Sequence, residues 1–262
     1  MTIWLLAGLI GLLAASGLFI GALVGYTERL PHRLIATVMG FGAGVLVAVL
    51  TLELLAESGE RGSILATATG FMAGALLFSL GNWLLEMRGA AERKRCGACV
   101  PQPSEAEIPG SGLAIAVGAL IDGIPESLAI GLSTAAVTGT NVGRADTSLS
   151  VALVAGLFLA NIPQGISSAS GMHHAGRTRK YVLGVWTMVV VASTIASIFG
   201  AVAFEGVSDV FLAGLTALAA GGVLAMLAET MIPEAFHLNR RFIGAVTASG
   251  FMVALLLGSA AS

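Results

Sequence analysis

Charge is scarce in this chain. Only 11% of its 262 residues are Asp, Glu, Lys or Arg, where a soluble domain carries about 25%. A large basic patch is also missing, and the formal net charge is -2. Both argue against nucleic acid as a partner. Two cysteines, Cys96 and Cys99, are too few for a disulfide framework in so long a chain. No His-Glu-x-x-His run occurs, and Ser127 has no histidine near it in sequence. An intramembrane protease is therefore not indicated, and the chain reads as a non-enzyme without a prosthetic group. No basic stretch precedes the first apolar segment, so that segment is expected to be a spanning helix, not a removable signal.

What is present is apolar. Hydrophobic residues make up 56% of the chain and the mean hydropathy is +0.92. Eight apolar segments can be drawn, at 2–26, 35–57, 63–86, 111–136, 148–172, 181–203, 209–231 and 242–260. Each is close to the ~20 residues that a helix needs to cross the hydrocarbon layer. The expectation is an all-α polytopic membrane protein with residues 1–262 as a single transmembrane domain. The 35 glycines suit helices that approach one another closely.

Basic residues sort the loops. Arg29, Arg33, Arg88, Arg93, Lys94, Arg95, Arg177, Arg179, Lys180, Arg240 and Arg241 fall in the odd-numbered loops; Arg61 and Arg144 fall in the even ones. The positive-inside rule places the odd loops in the cytoplasm. Eight helices then put both termini outside a cytoplasmic (inner) membrane. Segment 87–110 becomes a polar cytoplasmic loop between the third and fourth helices, too short for an enzymatic domain.

Two proline-centred hexamers interrupt the apolar sequence: Asp122-Gly-Ile-Pro125-Glu126-Ser127 and Ala160-Asn161-Ile-Pro163-Gln164-Gly165. Asp122 and Glu126 are four residues apart and share a helical face; Asn161 and Gln164 are three apart and do the same. Each proline withholds a backbone donor and can leave a carbonyl near positions 121 and 159 free. Carboxylates, amides and carbonyls together are oxygen ligands for a divalent cation, zinc included. Two carboxylates on one membrane-depth face are costly without a cation or proton. Glu229, late in the seventh segment, is a further candidate for the site or for an exit path. Glu57, Glu234, Glu28 and Glu86 fall near membrane faces, where a carboxylate reaches water. His173 and His174 could receive a departing metal or simply be solvated, and Cys96-x-x-Cys99 is half of a zinc pattern.

A short echo relates the second and seventh segments, with Gly44-Val-Leu leading to Glu57 and Gly221-Gly-Val leading to Glu234. Those segments run in opposite directions, as in transporters built from inverted repeats.

These residues resemble the ZIP (ZRT/IRT-like) family of divalent metal transporters. The resemblance covers nearly the whole chain: eight helices, external termini, a variable loop after the third helix and paired proline motifs in the fourth and fifth. Glu229-Thr-Met-Ile-Pro-Glu234 is similar to a run that ends the seventh helix in bacterial members. Where the family usually has His-Asn-x-Pro-Glu-Gly, this chain has Asp122, Gly123, Pro125, Glu126 and Ser127. In the fifth helix Asn161 and Pro163 are kept and the family Glu is Gln164. Ser193-Thr194 stands where many relatives carry an acid in the sixth helix, so a two-metal site is not expected.

The resemblance implies a ZIP-like inverted-repeat bundle and a homodimer. It also implies elevator-like alternating access and zinc, or manganese, iron or cadmium, carried into the cytoplasm. The metal would be cargo, with Asp122, Glu126, Asn161, Gln164 and Glu229 as the residues to meet it. Two other readings stay open: a proton-coupled transporter of another small solute, and a non-transporting membrane sensor or assembly protein.

The loop assignment has a direct check. A membrane-impermeant maleimide should label Cys96 and Cys99 only after the cytoplasmic face is opened. Labelling of both in sealed, right-side-out membranes would reverse the topology.

Overall fold

The computed structural model describes residues 2–27, 30–87, 107, 111–139, 145–204, 206–238 and 241–261. Cys96 and Cys99, with most of the 87–110 loop, lie outside the described residues. Every regular element among the described residues is helical: α1 (Ile3–Thr27), α2 (His32–Ala48), α3 (Leu55–Arg61), α4 (Ile64–Leu85), α5 (Ser111–Gly139), α6 (Ala145–His174), α7 (Arg179–Ala203), α8 (Asp209–Met226), α9 (Ile232–Leu238) and α10 (Ile243–Ala261).

Two of the expected helices are compound. A π-helical segment, Val49–Leu54, joins α2 to α3, and another, Leu227–Met231, joins α8 to α9. The Leu55 N–H reaches back to the Leu50 carbonyl and the Ile232 N–H to the Leu227 carbonyl, five residues in each case, as a π-turn requires. The second rod therefore runs on to Arg61, past the expected limit at 57. The seventh runs to Leu238, past the expected limit at 231. Pro233 does not stop it: the proline follows directly on the π-segment, where the wider turn already displaces the α-helical hydrogen-bond ladder that a proline would break.

Helix ends follow local chemistry. Ser63 accepts a hydrogen bond from the Ala66 N–H (3.2 Å) to start α4, and Thr178 accepts one from the Tyr181 N–H (3.3 Å) to start α7, both N-caps. At the end of α6, Gly176 has φ +77°. Its N–H bonds the His173 carbonyl and the Arg177 N–H bonds the Met172 carbonyl. That is a Schellman termination, which wants glycine at the left-handed position.

Among the described residues six stretches are long and apolar enough to cross a membrane: 3–27, 33–61, 64–85, 114–135, 179–203 and 209–237; Ile243–Ser259 is a shorter apolar helix. The protein is thus an all-α, multi-pass membrane protein. The surface agrees. Ile64, Leu65, Leu76 and Leu77 on α4 are 60% or more exposed, while Thr67, Gly74, Phe78 and Asn82 are its buried stripe. Threonines on outer faces bond their own helices, as Thr69 does to the Leu65 carbonyl and Thr187 to the Leu183 carbonyl. Hydrocarbon offers no other partner. α6 is not among the six, and its middle carries Asn161, Gln164, Ser167, Ser168 and Ser170, all buried.

Backbones meet at glycines. α1 lies on α6, where a Cβ on Gly17, Gly21 or Gly25 would strike the carbonyls of Phe158, Ile162 and Ile166. α2 meets α10 with Gly44 against the Thr247 carbonyl and Gly250 against the Phe41 carbonyl. α8 meets α4 in the same manner, Gly221 against the Phe71 carbonyl and Gly74 against the Leu218 carbonyl. The two kink-forming prolines are received likewise: the ring of Pro163 on α6 packs over Gly42 of α2, and that of Pro125 on α5 over Gly222 of α8.

Gly44→Val and Gly221→Val should each lower stability in detergent by about 1–3 kcal/mol, since a backbone carbonyl cannot give way as a side chain can. Gly184→Ala, with open space around it, should leave the melting temperature unchanged or slightly raised. Thermal unfolding of the three variants measures both.

Candidate functional site

The polar residues of the two hexamers converge. Asp122 is 3% exposed, and Glu126, Asn161 and Gln164 are 4% exposed each. Pro125 and Pro163 sit within otherwise continuous helices, and their i, i+3 and i, i+4 neighbours face the same seam. The Gln164 amide nitrogen donates to Glu126 Oε1 (3.2 Å) and more weakly to Asn161 Oδ1 (3.5 Å). Asn161 in turn donates from Nδ2 to the Ala14 carbonyl of α1 (3.0 Å). The amide pair therefore links the α5 carboxylate to the backbone of a third helix.

A small enclosed cavity lies at this point, lined by Leu18, Ala119, Asp122, Gly123, Asn161, Gln164, Ser168 and Trp186. Its volume is ≈ 10 Å³, about enough for one water centre. No basic side chain lines it among the described residues. On the α7 side, the Ser193 hydroxyl lies against Gly123, in the stretch where an acid is lacking. Ser127 is turned to its own helix, donating to the Gly123 carbonyl (2.7 Å).

Such a cluster has a definite chemical character. One carboxylate is fixed by an amide hydrogen bond, a second lines the cavity, and neutral oxygens complete the wall. Oxygen-rich and thiolate-free, the set suits a hard or borderline divalent cation, or a proton shared between carboxyls. Among the described residues no three His, Cys, Asp or Glu side chains come together as a metal cluster.

Glu229 stands elsewhere. It accepts hydrogen bonds from Ser79 and from Asn82 (2.8 Å) of α4, and Asn82 also donates to Glu86 (3.1 Å). It belongs to the α4–α8 seam and does not line the cavity.

Two acids expected to reach water are buried instead: Glu57 is 8% exposed and Glu234 3%. Glu57 accepts from Ser133 of α5 (2.9 Å) and pairs with Arg61 (3.2 Å), which lies 4.0 Å from Asp209. The reason is that both rods continue past their expected limits through the π-segments, so these acids stay within the bundle, where Glu57 meets α5 and α9 packs on α2. Ser133, Ser168 and Trp186 give no sequence signal, since isolated serines and one tryptophan in an apolar run read as packing. His173 stacks edge-on against Tyr26 (4.5 Å between centroids) and neighbours His174 at 5.9 Å. Both histidines are exposed.

Asn161→Ala should cost about 0.6–2 kcal/mol, the range for an interhelical hydrogen bond in a membrane protein, because it releases both the Ala14 carbonyl and Gln164. Ser249→Ala, whose hydroxyl bonds only its own helix at Val246, should stay within about 0.5 kcal/mol. Denaturation in mixed detergent micelles separates the two.

Comparison with protein-family models and with curated proteins gives no match, so the geometry itself carries the functional reading.

Proposed function

We propose that this chain transports a divalent metal cation across the cytoplasmic membrane into the cytoplasm by alternating access, with zinc the first candidate and manganese, iron(II) and cadmium next. The observation that carries the reading is the convergence of Asp122, Glu126, Asn161 and Gln164 at two proline kinks. Asp122 and Glu126 supply the charge, and Gln164 and Asn161 neutral oxygens. Eight spans, external termini and a ZIP-like plan belong to the same proposal. The matched contacts of α2 with α10 and α8 with α4, and of each proline with a glycine across the seam, support an inverted repeat. So do the two π-segments at corresponding places. In that plan α6 and α10 complete the eight spans, and the homodimer follows from the resemblance alone.

Alternating access requires the site to be closed to both sides at some stage. A buried cluster with room for about one water is such a stage. Entry and exit then require α5 and α6 to shift against their neighbours. Glu57 of α3, held by Ser133 of α5, and Glu234 of α9 are buried carboxylates on the neighbouring second and seventh rods.

Proteoliposome uptake of zinc, manganese, iron(II), cadmium and magnesium, with and without a pH gradient, tests the reading. Uptake of at least one divalent cation is expected. Asp122→Asn and Glu126→Gln should each weaken its apparent affinity by on the order of tenfold or more, since ligand charge sets affinity at oxygen sites. Normal metal flux in the Asp122→Ala/Glu126→Ala double variant would sink the assignment. Proton flux with no metal bound would favour the proton-coupled solute transporter instead.

A further inference from the structure

Trp186, on α7, is 3% exposed, and its indole Nε1 is buried with no hydrogen-bond partner among the described residues. Tryptophan in a core normally finds an acceptor for that N–H. A buried donor left without one is costly. Trp186 lines the same cavity as Asp122, Asn161, Gln164 and Ser168. The cavity has the volume of one water centre, ≈ 10 Å³, and a buried water needs two to four polar partners to be worth keeping. All of those conditions meet at this point.

We infer that the cavity is a built water site in which Trp186 donates to a single water and that water donates to the Asp122 carboxylate. The assignment deepens the cation reading and rests on it for its transport consequence. A carboxylate that ligates a metal works best when its other oxygen is held. Gln164 holds Glu126 from the α6 side, and the water holds Asp122 from the α7 side. Trp186 is then a positioning residue: it acts on the cation through the water and Asp122. Leu18 and Ala119, also in the lining, are apolar and offer the water no competing partner.

The test uses the full-length protein. Trp4→Phe and Trp83→Phe, both at exposed positions, leave Trp186 as the one indole of the three in the chain. Ultraviolet resonance Raman then reads the hydrogen-bonding state of its N–H directly, without any activity. A strongly hydrogen-bonded N–H is expected, perturbed when zinc or manganese is added; an N–H with no acceptor would overturn the inference. For transport, Trp186→Phe and a variant with the indole replaced by benzothiophene, which keeps the ring and loses the N–H, should raise KM for the cation roughly tenfold with kcat unchanged. An unchanged KM in both variants, or a fall in kcat alone, would overturn it even where wild-type uptake is normal. Absence of any divalent uptake by the wild type sinks the transport reading instead, and the Raman arm still decides the water site.

Discussion

Close backbone contact at glycine is the constraint on which this architecture depends. Between membrane helices there is no hydrophobic drive of the kind that folds a soluble core, because lipid is as apolar as leucine. Attraction comes from short-range packing, which grows as backbones draw together. Gly17, Gly21 and Gly25 let α1 lie directly on the carbonyls of α6, and Gly44, Gly250, Gly74 and Gly221 do the same on the two flanks. With Gly131 of α5 against the Ser197 carbonyl of α7, those contacts set where α5 and α6 sit, and hence where the polar faces of both helices meet. A leucine at any one of these positions would push a rod outward by most of a side chain's width.

The second rule is that polar groups settle their bonds within the bundle. Outer threonines bond their own carbonyls, and Ser58 bonds both Thr67 and the Ala213 carbonyl. Against that background the Asp122–Glu126 face is an outlier in charge. Gln164 and Asn161 organise it without neutralising it, since an amide donates a hydrogen bond but carries no cationic charge. The amide contact to Glu126 differs in kind from the ion pair of Glu57 with Arg61, and it is the feature on which the proposed cation reading rests.

Much of this is legible in the residues. Composition and apolar runs point to a bundle of membrane-spanning helices, and the 3- and 4-residue spacings put Asp122 with Glu126 and Asn161 with Gln164 on shared faces. The convergence of the two faces is not derivable, because spacing fixes a direction within a helix and says nothing about its neighbour. The burial of Glu57 and Glu234 is hidden because the π-segments Val49–Leu54 and Leu227–Met231, which carry no distinctive residue, continue both rods beyond their apolar runs. The seventh segment, drawn to 231 on its apolar run, continues through Pro233 to Leu238. Glu229 looks axial by its position near the end of an apolar run, and it is tied to α4 instead.

The proline–glycine pairs carry a consequence of a different order, for heredity. Pro163 occupies the space that a Cβ on Gly42 would need, its Cγ lying 2.9 Å from that point; at Gly222 the Pro125 ring is 3.1 Å away and would have to give by a few tenths of an ångström. Alanine at Gly42 therefore asks the proline ring or its helix to shift, and at Gly222 it asks for a smaller adjustment. A lineage that keeps both prolines is restrained at two further positions that bear no functional group at all, though nothing about a glycine would announce it.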